Sequence, residues 1–170
     1  MPPGQIVQIP ADSPSFQTTG NSPAAADLFP RRYSLFDGIL IGQHNGVEHF
    51  HLGQRKKLTG GGFSQPLYVI GKDYKNNRLF VGAGQDHPGL QAAVFRYAAL
   101  GSENVQVPGF SGKEIEGQWM SADQNLPVLL QKTTGETLVI FEQPQSITLY
   151  ETNASFRLPD GTIFLLQTLQ

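Results

Sequence analysis

The sequence predicts an all-β protein, with a small hairpin-rich β domain followed by a small antiparallel β-barrel. Its 170 residues include 19 Gly and 12 Pro, which is typical of many turns and short strands rather than long helices. In the second half, short apolar runs recur at spacings near ten residues, as expected for a barrel or sandwich. Hydrophobic residues make up 39% of the chain, which suffices for a modest core.

Residues 1–88 are predicted to form the hairpin-rich domain, beginning with an edge strand around Ile6 and Val7. Residues 10–32 contain four prolines and many Ser, Thr and Asn residues. Such a composition buries too little apolar surface to offset the entropy of ordering. We therefore expect a flexible insertion there, with one helical turn at 24–28.

Two hairpins are predicted in the rest of this domain. The apolar run 38–42 leads into Asn45-Gly46, a strong hairpin signal, and the alternation over 47–52 predicts the returning strand. The second hairpin pairs residues 67–70 with 78–82 around a turn at 73–77. The sequence His87-Pro88-Gly89 is interpreted as the domain boundary.

Residues 89–170 are predicted to form a barrel of six or seven strands. Residues 90–100 are ambiguous, since their alanines favour a helix whereas Val94, Phe95 and Tyr97 favour a strand. The later strands are predicted at 114–120, 127–132, 137–141, 146–150, 154–158 and 162–169.

Composition and charge restrict the classes of function. The absence of cysteine excludes disulfides, thiolate metal sites and cysteine nucleophiles. No signal peptide and no apolar run of about 20 residues is found, so we expect no membrane contact and a cytoplasmic location. Residues 1–100 carry nine Lys and Arg against six Asp and Glu, while residues 101–170 carry three against eight. A polyanion is therefore expected to meet the first half.

Six short motifs occur at residues 3–7, 37–46, 52–58, 68–77, 87–90 and 139–148. They include a DG-x-LIG-x-H-x-G run, an LGQRK-x-L loop and an FEQPQ-x-IT run. In this order they resemble the central and C-terminal barrel domains of the bacterial tRNA-specific 2-thiouridylases. The resemblance implies a part of an enzyme that replaces the oxygen of a wobble uridine with sulfur.

The departures from the family pattern are also informative. The SGG-x-DS phosphate-binding loop and the paired cysteines of the family's ATP-using catalytic domain do not occur, so we expect no catalytic residue and no cofactor. Lys57 replaces a glycine of the loop motif, and 117–120 lacks the arginines of a basic-aromatic R-Y-R strand. Leu149, Tyr150 and Glu151 replace the PGQ that follows IT in the family.

The predicted RNA-binding site is the basic loop. Arg55, Lys56 and Lys57 follow a glycine that permits close backbone approach, and three cations neutralise two or three phosphates. Gln54 and His44 are assigned to the same site because the family motifs place them beside it. The alternative is an ordinary solvated basic turn.

Two further candidates remain open. Trp119 stacks on a base if it is exposed, although a lone tryptophan in a small barrel is more often a core residue. His49 and His51 would share one face of the predicted strand 47–52, as zinc ligands can. No carboxylate completes such a site, so no metal site is predicted.

These observations favour a non-catalytic tRNA-binding part, or an accessory subunit, of a tRNA 2-thiouridylase system. Its partners would be tRNA and a separate ATP-dependent catalytic subunit. The alternative is a divergent protein-interaction module without RNA binding, in which the acidic barrel docks a partner such as that subunit.

Overall fold

The computed structural model describes residues 3–16, 28–56, 65–98, 114–133 and 135–169. Within these ranges the chain forms twelve β-strands in two sheets, and its helical elements are five short 3-10 turns. The predicted all-β class is confirmed. Most of the helical turn expected at 24–28 lies outside the described residues.

The first sheet has five strands and includes one of the two predicted hairpins. The strands are β1 (Gly4–Gln8), β3 (Ile39–His44), β4 (Arg55–Lys56), β5 (Leu67–Asp73) and β6 (Arg78–Ala83), in the spatial order β3-β1-β6-β5-β4. The β5–β6 hairpin is confirmed. Asp73 accepts a hydrogen bond from the Asn76 N–H at 3.1 Å, and Asn77 takes the left-handed φ of 51° that the turn requires.

Strand β1 is central, so the prediction of an edge strand is wrong. It pairs antiparallel with β3 and parallel with β6. Alternate residues of a strand point to opposite faces, and both faces are covered here. Ile6 belongs to one apolar cluster and Val7 to another, and neither side chain is exposed.

The second sheet forms the predicted barrel. Its strands are β2 (Leu28–Phe29), β7 (Gln91–Ala98), β8 (Ile115–Met120), β9 (Asn125–Thr133), β10 (Glu136–Ser146), β11 (Ala154–Arg157) and β12 (Ile163–Leu166), in the order β12-β11-β8-β9-β10-β7-β2. A bridge between Tyr97 and Thr168, with a 2.8 Å hydrogen bond from the Ala98 N–H to the Gln167 carbonyl, brings the chain after β12 back to β7, so the sheet curls round towards itself.

The ambiguous segment 90–100 forms strand β7 over Gln91–Ala98, directly after the 3-10 turn Pro88–Leu90. Its residues pair with β10 on one side and with β2 on the other. Ala92, Val94, Phe95 and Tyr97 are all buried. Pairing and burial therefore override the helical propensity of the alanines.

Two predicted strands are 3-10 turns instead. Residues 47–52 contain the turn Val47–His49, entered through Gly46 at a φ of 142°. The run 146–150 contains the turn Ile147–Glu151, whose N-cap Ser146 accepts a hydrogen bond from the Thr148 N–H. Apolar residues at 147 and 150 are three apart, which is the spacing of one face of a 3-10 turn.

One apolar cluster joins the two sheets. It includes Ile6 and Val69 from the first sheet and Phe95, Trp119 and Phe156 from the barrel. The predicted domain boundary near residue 88 remains a prediction, but the described residues on its two sides share this cluster.

Both ends of the expected insertion 10–32 contribute to the fold. Ser13 is buried, and Phe29 of β2 packs its ring edge-on against Tyr150 with centroids 5.1 Å apart. The prediction of a flexible insertion over 10–32 is therefore wrong for its two ends, and residues 17–27 lie outside the described ranges. In the described part of the chain no helix has the length and apolarity needed to cross a bilayer.

Candidate nucleic-acid interface

Arg55 and Lys56 of the basic loop form β4, an edge strand of the first sheet, which we call the basic edge. Arg55 is exposed on it. Arg55 lies opposite Tyr68 and Lys56 opposite Leu67 in the antiparallel pairing with β5. Arg55 has no ion-pair partner among the described residues. Its guanidinium is therefore a candidate contact for an external anion. Lys57 lies outside the described residues.

A tight turn positions this edge strand. Gly53 has a φ of 77°, in the left-handed region that favours glycine. Its N–H donates to the Val69 carbonyl at 2.7 Å, and the Val69 N–H donates to the Gln54 carbonyl at 3.0 Å. Gln54 is exposed, but its side-chain oxygen accepts a hydrogen bond from the His51 N–H at 2.9 Å. The Gln54 side chain therefore braces the turn in this structure.

The turn rests on the barrel through a close contact. A Cβ atom at Gly53 would lie 2.5 Å from Cγ2 of Thr148. Thr148 lies in the Ile147–Glu151 turn, so the glycine of one sequence motif packs against the threonine of another. Only a residue without a side chain leaves room for this approach.

Polar contacts to Glu151 complete the attachment. Lys72 of β5 forms an ion pair with Glu151 and donates a second hydrogen bond to the Phe50 carbonyl at 3.1 Å. The Leu52 N–H donates to the other Glu151 oxygen at 2.9 Å. Burial alone would lower the pKa of Lys72, but its hydrogen bonds and charge interactions with Glu151 and Tyr74 leave this pKa raised overall. Lys72 is therefore held as a cation between the sheets.

Comparisons with known proteins agree with these motifs. A family model described as the tRNA methyl transferase PRC-barrel domain matches residues 33–83, which include the basic edge. The tRNA-specific 2-thiouridylase MnmA of Christiangramia forsetii is 38% identical over 153 residues, and its counterparts from Shouchella clausii and Halalkalibacterium halodurans are 34% and 42% identical over 131 and 120 residues.

The chain belongs to the tRNA-specific 2-thiouridylase family. The aligned part is 84% of this chain but 39% of the relative from Christiangramia forsetii, and 35% and 31% of the other two. The chain thus spans about 31 to 39% of the length of these relatives.

A second feature of this chain is a cavity of about 570 Å³ beside Arg55. Its wall includes the polar side chains Gln65, Gln85 and Asp86 and the ring of Tyr68. Arginine and amide groups donate hydrogen bonds to phosphate and ribose oxygens. Asp86 adds a carboxylate to the same wall, so the cavity is lined by one cation, one anion and two amides.

His44 does not belong to this surface, and its assignment to RNA is corrected. It is buried at the end of β3, where its Nδ1 accepts a hydrogen bond from the Gly46 N–H at 3.0 Å. Its ring packs edge-on against Phe50, with centroids 5.6 Å apart. The imidazole therefore shapes the turn that leads to the basic edge, as a buried polar group with local partners does.

Trp119 is a core residue, so the suggestion of base stacking is also corrected. Its side chain has no exposed surface, and its indole N–H donates to the Tyr97 hydroxyl at 3.2 Å. Alternate side chains of β8 point into the barrel, and the large ring of Trp119 is one of them.

His49 and His51 do not share a strand face, because Val47–His49 is a 3-10 turn. Each lies near a different carboxylate, His49 3.5 Å from Glu48 and His51 3.7 Å from Glu151. Among the residues that the structure describes, no group of three or more potential metal ligands comes together.

The sequence interpretation missed the role of Glu151. It appeared only as part of the segment that replaces the family's PGQ. The partner of Glu151, Lys72, lies 79 residues away in the sequence. No local pattern links positions that far apart.

Proposed function

We propose that this chain is a non-catalytic tRNA-binding part, or an accessory subunit, of a tRNA 2-thiouridylase system. The observation that carries this proposal is the 38% identity over 84% of the chain to a protein named a tRNA-specific 2-thiouridylase. This similarity supports a role in tRNA modification. The sulfur-transfer chemistry is assigned to an ATP-dependent catalytic partner, and a cytoplasmic location remains a prediction.

The geometry supports the basic edge as the RNA contact. Arg55 is exposed on a sheet edge, Lys56 is next to it in β4, and Lys57 follows in the sequence. Phosphate contacts of this kind supply affinity and register without reading sequence. Residues 1–100 carry a net charge of +3, from nine basic and six acidic residues, so the surrounding half does not oppose a polyanion.

A salt-dependent titration against bulk tRNA tests the proposal. The variant replaces Arg55, Lys56 and Lys57 with alanine. Its matched control replaces Lys113, Lys132 and Arg157, the three cations of residues 101–170, and so removes the same charge from the acidic half.

We expect binding that weakens as salt rises. Loss of three phosphate contacts reduces the slope of log K against log salt by about 2 to 3 in the Arg55/Lys56/Lys57 variant. The control variant keeps the wild-type slope. If the two triple variants bind tRNA alike, the basic edge is not the RNA contact.

The second candidate is a protein-interaction module. It is motivated by the charge of the barrel half, where residues 101–170 carry three basic against eight acidic residues. Such a surface favours a basic partner, including a separate catalytic subunit. Purification of the chain at near-physiological salt without any bound protein, together with tRNA binding that passes the test above, would count against it.

A further inference from the structure

The outer wall of the barrel carries a groove that the tRNA-binding proposal does not use. The groove has a volume of about 640 Å³ and lies against strands β8, β9 and β10, with the β11–β12 turn on one side. Its floor includes Pro127, Leu129 and Ile140, and its rim includes Glu116 and Glu142.

The apolar floor breaks the usual pattern of a barrel wall. Val128, Leu130, Val139 and Phe141 are buried inward, so the residues between them face outward. Such outward positions are normally polar when they meet water.

Leu129 and Ile140 pair directly across β9 and β10, and both are half-buried. They belong neither to the shared core cluster nor to the partly buried residues that pack against it. They therefore form a small apolar strip on the outer wall, separate from the core.

The rim is acidic. Glu116 lies opposite Leu129 in the β8–β9 pairing, and Glu142 follows Ile140 by two residues on the same face. Both are exposed, and neither has an ion-pair partner in the described part of the chain. Arg157, the cation beside the groove, already donates to the Gln118 side chain at 3.1 Å. Phosphates are repelled here, and basic side chains are attracted.

We propose that this groove binds an extended protein segment with basic residues at positions i and i+4 and an apolar residue at i+2. Glu116 on β8 and Glu142 on β10 are two strands apart, and Glu142 is displaced by two residues along the strand direction. Their Cα atoms are therefore about 12 Å apart. Positions i and i+4 of an extended segment lie about 13 Å apart on one face. The apolar side chain between them then meets Leu129 and Ile140.

A methyl NMR titration tests this proposal. The chain, with labelled Leu and Ile methyl groups, is titrated with a capped peptide Lys-Thr-Leu-Thr-Lys. The control peptide Glu-Thr-Leu-Thr-Glu keeps the apolar centre and reverses the charge. The test variant is Glu116→Gln/Glu142→Gln, and the control variant Glu114→Gln/Asp123→Asn removes the same charge from exposed barrel positions outside the groove.

We expect the basic peptide to shift the methyl signals of Leu129 and Ile140. Binding should be about five-fold weaker in Glu116→Gln/Glu142→Gln, as two exposed ion pairs predict, and unchanged in the control variant. Equal shifts with the acidic peptide, or no shift at millimolar peptide, would overturn the proposal. So would a single-stranded RNA that shifts these methyl signals more strongly than the peptide.

This proposal goes beyond the tRNA-binding function and fails independently of it. The Arg55/Lys56/Lys57 variant should bind the basic peptide as the wild type does, because β4 is at the edge of the other sheet. Loss of peptide binding in that variant would also contradict the assignment to the groove.

Discussion

Lys72 of strand β5 and Glu151 of the Ile147–Glu151 turn form an ion pair that joins the first sheet to the barrel. The Lys72 side chain is 10% exposed and that of Glu151 26%. The same carboxylate accepts the Leu52 N–H, so one acidic residue holds both β5 and the turn that leads to the basic edge. This pair acts together with the shared apolar cluster and the Gly53–Thr148 contact to hold the candidate RNA-binding residues against the barrel.

The first prediction concerns Glu151→Ala. This substitution leaves the Lys72 ammonium with little solvent and no counter-charge, and it removes the acceptor of the Leu52 N–H. We expect the free energy of unfolding to fall by about 2 to 3 kcal/mol, measured by urea denaturation. Glu142→Ala, at an exposed barrel position, should change it by less than about 0.5 kcal/mol. Similar losses in the two variants would show that the ion pair does not join the sheets.

The second prediction separates backbone strain from contact at Gly53. Gly53 and Gly135 have nearly the same φ, 77° and 79°, but a Cβ at Gly135 would meet nothing within 4 Å. Gly135→Ala should therefore lower the free energy of unfolding by about 1 kcal/mol, because alanine is strained in the left-handed region. Gly53→Ala should cost at least about 1 kcal/mol more, because its Cβ overlaps Thr148.

Urea denaturation of both glycine variants measures this difference. Adding Thr148→Ser to Gly53→Ala removes the overlapping methyl group and should recover part of the extra loss. Equal destabilisation by Gly53→Ala and Gly135→Ala would mean that the contact with Thr148 is unimportant.

The third prediction uses Trp119, the only tryptophan of the chain. Because its side chain is fully buried, acrylamide should quench its fluorescence weakly in the folded protein and strongly in urea. Addition of tRNA should leave the emission unchanged while filter binding reports complex formation. An emission change that saturates together with binding would restore the base-stacking hypothesis.

The fourth prediction concerns His87 and pH. Its Nδ1 accepts a hydrogen bond from the Gly89 N–H at 3.0 Å, and its Nε2 lies 2.8 Å from the Ile9 carbonyl. Burial lowers the pKa of His87; the hydrogen bond to Ile9 opposes this shift, and the charge of Arg31 reinforces it. The unfolded chain thus binds a proton more readily, so the stability contributed by neutral His87 is present above about pH 6.5 and is lost as pH falls below it.

Urea midpoints at pH 7.5 and pH 5.5 test this effect. His87→Asn keeps an acceptor for the Gly89 N–H but does not titrate, so its midpoint should fall less with pH than that of the wild type. His49→Asn, at an exposed position, should keep the wild-type pH dependence. A wild-type pH dependence in His87→Asn would exclude His87 as its source.

Local patterns predicted the elements that local physics controls. The β5–β6 hairpin follows from turn residues at 73–77 between two apolar runs, and the strands of the barrel follow from short apolar runs separated by turns. The same reasoning failed where turn residues occur but no hairpin follows them. Asn45-Gly46 leads into a 3-10 turn rather than a hairpin, because Val47 turns into the core there.

Sequence patterns identified the exposed Arg55 of the candidate site but misplaced His44. Arg55 was identified from its charge and from the glycine before it, which are properties of the sequence. Its exposure on an edge strand is a result of pairing with β5. His44 was placed with it by motif proximity, yet neighbours from β1 and the Phe50 ring bury its imidazole.

By itself, the sequence determined the all-β class, the hairpin at 67–83, the basic loop and the likeness to the 2-thiouridylases. These depend on composition, periodicity and turn residues, which act over a few positions. Only the tertiary structure decided that β1 is central, that Trp119 is a core residue and that Glu151 holds the basic edge against the barrel. Each of these depends on contacts between residues far apart in the chain, up to 99 positions for Leu52 and Glu151, and the energy of such contacts is realised only when folding brings the partners together.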